Sequence, residues 1–264
     1  MDALFDAGRT ASAQILAVEL DRAPISYLEG ALVNPLLDPG LVLLILQKNR
    51  GITGPLISRI GRNRVWLKPY EVKAAIVLHP KTPRPLAMGL IQFLWWRDLA
   101  RVADQATLAA PLRRAAERLL EIRMQELALG EKVALARIAT RGVIGALRRT
   151  SDPMVMRALL QNPRLLEEDA LAIASGKTTA PGVLQALAED PRLSVRPALQ
   201  KALVQNPATP PAAALHLLQR LSTQSLRELA HAPHLPTLVK VAALRTLEAR
   251  THPDRAGDRS SDSS

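Results

Sequence analysis

Displaced by about 127 residues, this sequence falls on itself. "GPLISRIG" (Gly54–Gly61) meets "PGVLQALA" (Pro181–Ala188), "VKAAIVLHPKTP" (Val72–Pro83) meets "LQKALVQNPATP" (Leu199–Pro210), and "DLARVA" (Asp98–Ala103) meets "SLRELA" (Ser225–Ala230). A slip of one residue also brings "ALVNPLL" (Ala31–Leu37) onto "LLQNPRL" (Leu159–Leu165). Ungapped blocks sharing one offset read as a tandem duplication, with copies at 1–125 and 126–250. Inside each copy a shorter period runs from Asn34 to His79 and from Asn162 to Asn206, about 45 residues, the length of a two-helix repeat unit. About three helix pairs per copy are expected. The remaining "THPDRAGDRSSDSS" (Thr251–Ser264) has almost nothing to bury and is expected to be a disordered polar tail.

The turns have their own chemistry. In "QNPATPP" (Gln205–Pro211), Asn206 can end a helix in the left-handed conformation and Pro207 prevents its continuation. Thr209 then reads as the N-cap of the next helix, with Pro210 at its first position. "HPKTP" (His79–Pro83) repeats the device with Thr82 and Pro83, and "LLDPG" (Leu36–Gly40) supplies Asp38 and Pro39. Between the turns, Val72, Ala75 and Ile76, or Leu203 and Val204, recur at helical spacing.

The chain is 48% hydrophobic but only 3% aromatic, its interior being left to Ala and Leu, strong helix formers. The expected class is all-α. "VRPALQKALVQNPATPPAAALHLLQRLS" (Val195–Ser222) resembles the leucine-rich repeat variant, with its valine-arginine helix, Asn-Pro-x-Thr-Pro turn and Leu-rich helix, and is equally similar to HEAT repeats. Val72–Trp95 and Met154–Ile173 share the likeness. The resemblance implies a right-handed α-solenoid, short helices stacked into a curved superhelix. Some variant-repeat relatives hold an iron–sulfur cluster on cysteines. This chain has no cysteine, so no such cofactor, disulfide or thiolate chemistry is expected, which suits a reducing cytoplasm. The acidic opening "MDALFDAGRT" is unlike a signal peptide, and apolar runs such as "LVLLIL" (Leu41–Leu46) are too short to span a bilayer, so no membrane association is expected.

A net charge of +11 points to an anionic partner, and its distribution says more than its sum. Residues 1–47 hold two basic and six acidic side chains, residues 48–101 eleven and two, residues 152–200 five and six. Within the basic stretch, "SRIGRNRVWLKPYEVK" (Ser58–Lys73) sets Arg59, Arg62, Arg64, Lys68 and Lys73 around Trp66 and Tyr70, a pattern suited to phosphate contacts and base stacking. The alternative is a solvated loop whose two aromatics plug the gap between units. The matching segment, Gln185–Gln200, has only two arginines and two acids, so the fold does not require the charge.

Other constellations point to less. Trp95 and Trp96 beside Asp98 echo the tryptophans and aspartate of HEAT-like DNA glycosylases, but adjacent tryptophans on one helix point some 100° apart and read equally as one core and one inter-unit residue. His231 and His234 lack the further ligands of a metal site. "LALGEKVALAR" (Leu127–Arg137) lacks the remaining glycines and the Ser/Thr of a phosphate loop. The reading is therefore a non-enzymatic scaffold without cofactor or metal, binding a protein partner. Nucleic-acid binding through the basic first copy is the alternative, and a repeat-built glycosylase the distant third.

Overall fold

Frequent interruption keeps the helices short. Eight of them carry a proline at the first or second position, where no amide bond is lost. A computed structural model describes residues 2–233 and 235–251, and among these there are eighteen α-helices, one 3-10 turn and no strand. The chain divides between Glu126 and Leu127 into two compact units. The first holds α1 (Ala3–Thr10), α2 (Ala13–Glu19), α3 (Ile25–Ala31), α4 (Pro39–Lys48), α5 (Gly54–Arg62), α6 (Tyr70–Leu78), α7 (Arg84–Leu90), the 3-10 turn Ile91–Phe93, α8 (Trp96–Asp104) and α9 (Ala110–Arg123). The second holds α10 (Leu129–Ile138), α11 (Arg141–Leu147), α12 (Pro153–Leu160), α13 (Glu167–Ala174), α14 (Pro181–Glu189), α15 (Pro197–Gln205), α16 (Pro211–Leu218), α17 (Thr223–Ala230) and α18 (Thr237–Thr251). Nine helices per unit replace the six expected, because most are only two to three turns long. Of the expected tail, Thr251 closes α18 and the rest lies outside the described residues.

Many helices pack against the helix two places earlier, while α8 with α9 and α17 with α18 pack as chain neighbours. In the first unit α1 meets α3 and α7 meets α9 in one layer, while α2, α4, α6 and α8 follow one another in a second. In the second unit α10, α12, α14, α16 and α18 form one layer, and α13 and α15 pack in the other. The core lies between layers: Ile57, Ile76, Leu94 and Leu99 in the first unit, Leu184, Leu199, Leu203 and Leu217 in the second, are fully buried. The α1–α3 pair is the closest of these. A Cβ on Gly30 would lie 2.0 Å from the Phe5 carbonyl oxygen, and one on Gly8 would lie 2.2 Å from that of Tyr27.

The register of the sequence match carries through to the helix bounds. Gly54–Arg62 and Pro181–Glu189, like Tyr70–Leu78 and Pro197–Gln205, begin and end 127 residues apart. Ala13–Glu19 and Arg141–Leu147 do so at 128.

Three features of the "QNPATPP" turn differ from expectation. Asn206 is extended, with φ −82° and ψ 117°, and no non-glycine residue among those described has positive φ. The extended backbone lets its side chain reach back to the turn two helices earlier. Its Nδ2 donates to the carbonyls of Ala174 (2.7 Å) and Gly176 (3.0 Å), and its Oδ1 accepts from Ala208 N. Thr209 is likewise no N-cap: its hydroxyl donates to the Leu203 carbonyl, closing the preceding helix. Pro210 precedes another proline and is held out of the helical region, so the helix starts one residue later, at Pro211. Thr82 makes the same bond to Ile76, and α7 starts after Pro83. Asp38 does cap α4, accepting from Leu41 N, with Pro39 in the first position.

Each of these carbonyls also accepts a backbone amide at 3.2 Å, Leu203 from Asn206 N and Ile76 from His79 N, so removing the hydroxyl takes away one of two partners. Thr209→Val and Thr82→Val should each cost about 0.5–1.5 kcal/mol, the buried Thr209 more than the half-buried Thr82, and Ser at either site should keep most of the stability. Denaturant melts measure this, and Ser behaving no better than Val would disprove the role given to the hydroxyl.

The reach-back recurs at buried asparagines. Asn34 Nδ2 donates to Gly8 (3.0 Å) and Ala11 (2.9 Å), Asn49 to Leu20 and Ala23, and Asn162 to Ala136 (2.9 Å) and Ala139 (3.0 Å). Where the asparagine is replaced, two residues divide its work. His79 Nδ1 accepts from Lys81 N, and Lys81 Nζ donates to Arg50 and Ile52. Burial, and then Lys81, lower the His79 pKa below the usual histidine range, which keeps that nitrogen an acceptor. Each unit ends on the same fork: Arg123 donates to the carbonyls of Leu94 and Gln92, and Arg250 to those of Leu221 and Gln219, 127 residues on.

Candidate binding surface

The basic segment is built on α5 and the turn behind it. Leu56, Ile57 and Ile60 bury one face of α5, so Arg59 and Arg62 stand exposed on the other. Asn63 then accepts from the amides of Val65 (2.9 Å) and Trp66, a side-chain turn that points Arg64 and Val65 outward. Trp66 goes the opposite way. Its ring is buried, and its Nε1 donates to the Leu37 carbonyl at 3.1 Å, linking this turn to the one after α3. The buried ring fits the alternative reading, an aromatic that plugs the gap between neighbouring turns. Lys68 is exposed, and Lys73 Nζ donates to the Lys68 carbonyl at 3.2 Å.

Tyr70 opens α6 and is drawn into a different cluster. Its ring stacks on Trp95, with centroids 4.0 Å apart and planes within 12°. Its hydroxyl donates to Asp98 Oδ2 and accepts from Trp95 N at 3.1 Å. Asp98 Oδ1 accepts from Arg101 at 3.0 Å, so both carboxylate oxygens are engaged. Burial, and then the Asp98 acceptor, push the Tyr70 hydroxyl up to about 12 and keep it a donor. Trp96 turns into the core with the Arg97 guanidinium 5.3 Å from its ring centre, while Trp95 is 64% exposed. Trp95 escapes the sequence reading as a partner of Tyr70. The signal lies in register, since both open helices of the same layer. Between α4, α6 and α8 lies a groove of about 460 Å³, lined by Leu46, Tyr70, Ala74, Leu78, Asp98 and Arg101 among others.

Charge pairing separates the two units. Among the described residues, the side chains of Arg59, Arg62, Arg64 and Lys68 make no hydrogen bond or ion pair, and the single ion pair of 48–101 joins Arg101 to Asp98. In the second unit several of the cations are paired: Arg157 meets Glu189 at 3.2 Å, Arg196 meets Glu167 at 3.6 Å, Arg148 meets Asp169 at 3.2 Å, and Lys201 meets Glu228. At the positions matching Arg59, Arg62, Arg64 and Lys68 it carries Ala186, Glu189, Pro191 and Val195.

His231 is an exposed residue at the end of α17, and His234 lies outside the described residues. Gly130 is the second residue of α10, where Glu131 accepts from Ala128 N at 3.0 Å. Among the described residues no group of three or more His, Cys, Asp or Glu side chains could hold a metal ion, and no helix is long and apolar enough to cross a membrane. Comparison with protein families, curated proteins and solved structures finds no match to this chain.

Proposed function

We propose that this chain is a non-enzymatic binding scaffold: a right-handed α-solenoid of two tandemly duplicated copies, of the HEAT-like or leucine-rich-repeat-variant kind, that holds a protein partner. One observation carries the reading. The units share helix bounds and turn bonds 127 or 128 residues apart, while their exposed side chains differ in charge and apolarity. What the first unit displays beyond the second is not needed for folding and is open to recognition. Helix-on-second-helix packing supports the solenoid, since such repeats bury their apolar faces on neighbours and leave a long surface free. The lack of cysteine suits a reducing compartment such as the cytoplasm.

The test is retention of a partner by the tagged full-length protein from an extract of its own cells, with and without nuclease. A protein held in stoichiometric amount after nuclease treatment, at moderate salt, is the expected result. Loss of everything on nuclease treatment would sink the scaffold reading and leave the second one. That second reading, a nucleic acid held by the first unit, is favoured by the unpaired Arg59, Arg62, Arg64 and Lys68.

A further inference from the structure

We infer that one edge of the first unit, made by the turns after α3, α5 and α7 and the end of α9, docks an acidic amphipathic helix of a partner protein. The inference rests on the scaffold reading and adds the surface and the partner's chemistry.

The edge is continuous. Trp66 Nε1 joins the turn after α5 to Leu37, the Tyr70–Trp95 stack joins the starts of α6 and α8, and Arg123 joins the end of α9 to Leu94. Along it Val33, Leu36, Val65, Phe93, Trp95 and Ile122 are each between 47% and 69% exposed. At the matching positions the second unit has Gln161, Arg164, Arg192, Arg220, Ser222 and Ala249, so the fold tolerates polar or small residues there. An apolar row that the fold does not need, on an edge rimmed by charge, marks an interaction surface. The rim is cationic: Arg62, Arg64, Lys68 and Arg97 are exposed, and among the described residues none is in an ion pair. Of the nearby acids, Asp38 is engaged as the cap of α4 and Asp98 is held by Tyr70 and Arg101, while Glu71 and, beside Ile122, Glu121 are exposed.

Backbone chemistry chooses the form of the partner. An extended strand needs free carbonyls and amides to pair with, yet the Leu37 and Leu94 carbonyls on this edge already accept from Trp66 and Arg123. A helix satisfies its own backbone. Helices of one layer pack about 8–10 Å apart, and seven residues of helix advance about 10.5 Å. A helix laid along the edge with an apolar residue at every seventh position meets each turn in succession, its acidic flanks facing the arginines. Four of the six edge residues are aliphatic and offer no π face to a base. Trp95 is held flat on Tyr70 rather than free to sink into a bilayer.

Fluorescence anisotropy of the full-length protein tests this with four labelled probes: a Glu-rich peptide of about 20 residues with Leu at heptad spacing, the same composition scrambled, oligothymidylate, and vesicles of mixed phosphatidylserine and phosphatidylcholine. The heptad peptide should bind at least about tenfold tighter than the scrambled one. Val65→Arg with Phe93→Arg and Trp95→Ser, residues the second unit carries at those sites, should remove that preference. Phe93→Arg alone, checked for native circular dichroism, should weaken it and serves if the triple variant fails to fold. Equal binding of the two peptides, an unchanged preference in the variants, or binding of oligothymidylate or vesicles alone overturns the inference. A nuclease-resistant protein partner still held by the triple variant would overturn it too, while leaving the scaffold reading intact.

Discussion

Alanine in place of Asn34 should cost the first unit about 3–5 kcal/mol, far more than its size implies. The Asn34 amide is buried and fully used: Nδ2 donates to Gly8 and Ala11, and Oδ1 accepts from Leu36 N at 2.9 Å. Truncation leaves two carbonyls and one amide without partners in a dry place, each worth about 1–3 kcal/mol. Asn34→Asp should do no better than Asn34→Ala, because a carboxylate facing two carbonyls has nothing to donate. Asn162→Ala should do the same to the second unit, whose turn has the same three bonds. Urea melts followed by amide hydrogen exchange would place each loss, with Asn34→Ala deprotecting the first unit and Asn162→Ala the second. A cost below about 1 kcal/mol at both sites would show that water replaces the amide and that these bonds do not set the helix spacing.

Changing Arg59, Arg62, Arg64 and Lys68 together to Gln should lower any affinity for nucleic acid by about three orders of magnitude at 0.1 M salt. Each lost phosphate contact removes roughly 0.7–0.9 from the slope of log affinity against log salt, so four flatten it by about 3. Stability should hold or rise slightly, because the four side chains are exposed, unpaired and mutually repulsive. The second unit serves as control, having a single charge of either sign, Glu189, at the four matching positions on the same helix and turn. Retention on single- and double-stranded RNA and DNA, measured across a salt series, decides the matter. If wild-type protein is not retained at low salt, the polyanion reading fails. If the variant unfolds, the charges were structural.

The helical class, the short elements and their register are legible because proline, threonine and asparagine fall at fixed distances from apolar runs. What escapes is long-range. The sequence marks Asn206 as the end of a helix but says nothing of Ala174 and Gly176, some 30 residues earlier, and a buried amide serving them looks the same on paper as a turn former. It sets Thr209 at a boundary but on the wrong side of it, since local pattern does not reveal whether a hydroxyl donates backward or accepts forward. In the candidate surface, the exposed cations can be found from charge alone. The fates of Trp66 and Trp95 cannot. One is buried against Leu37 and the other is exposed against Tyr70, decided by which turns become neighbours.

The reach-back bonds also have a direction in time. Asn34, Asn49, Trp66, Lys81 and Arg123, and likewise Asn162, Asn206 and Arg250, all donate to carbonyls that precede them in the chain. A ribosome delivers the acceptors first. Each turn leaves the exit tunnel with its carbonyls hydrated, and the side chain that will claim them arrives some 23–32 residues later, when the earlier helix is already free to fold. At these turns growth from the N-terminus therefore does not strand the asparagine and arginine donors: an unfinished chain ends in open carbonyls, which water serves well. Removal of helices from the front does the reverse, leaving asparagine and arginine donors facing nothing. The molecule is consequently built to be extended at its C-terminal end and to resist shortening at its N-terminal one.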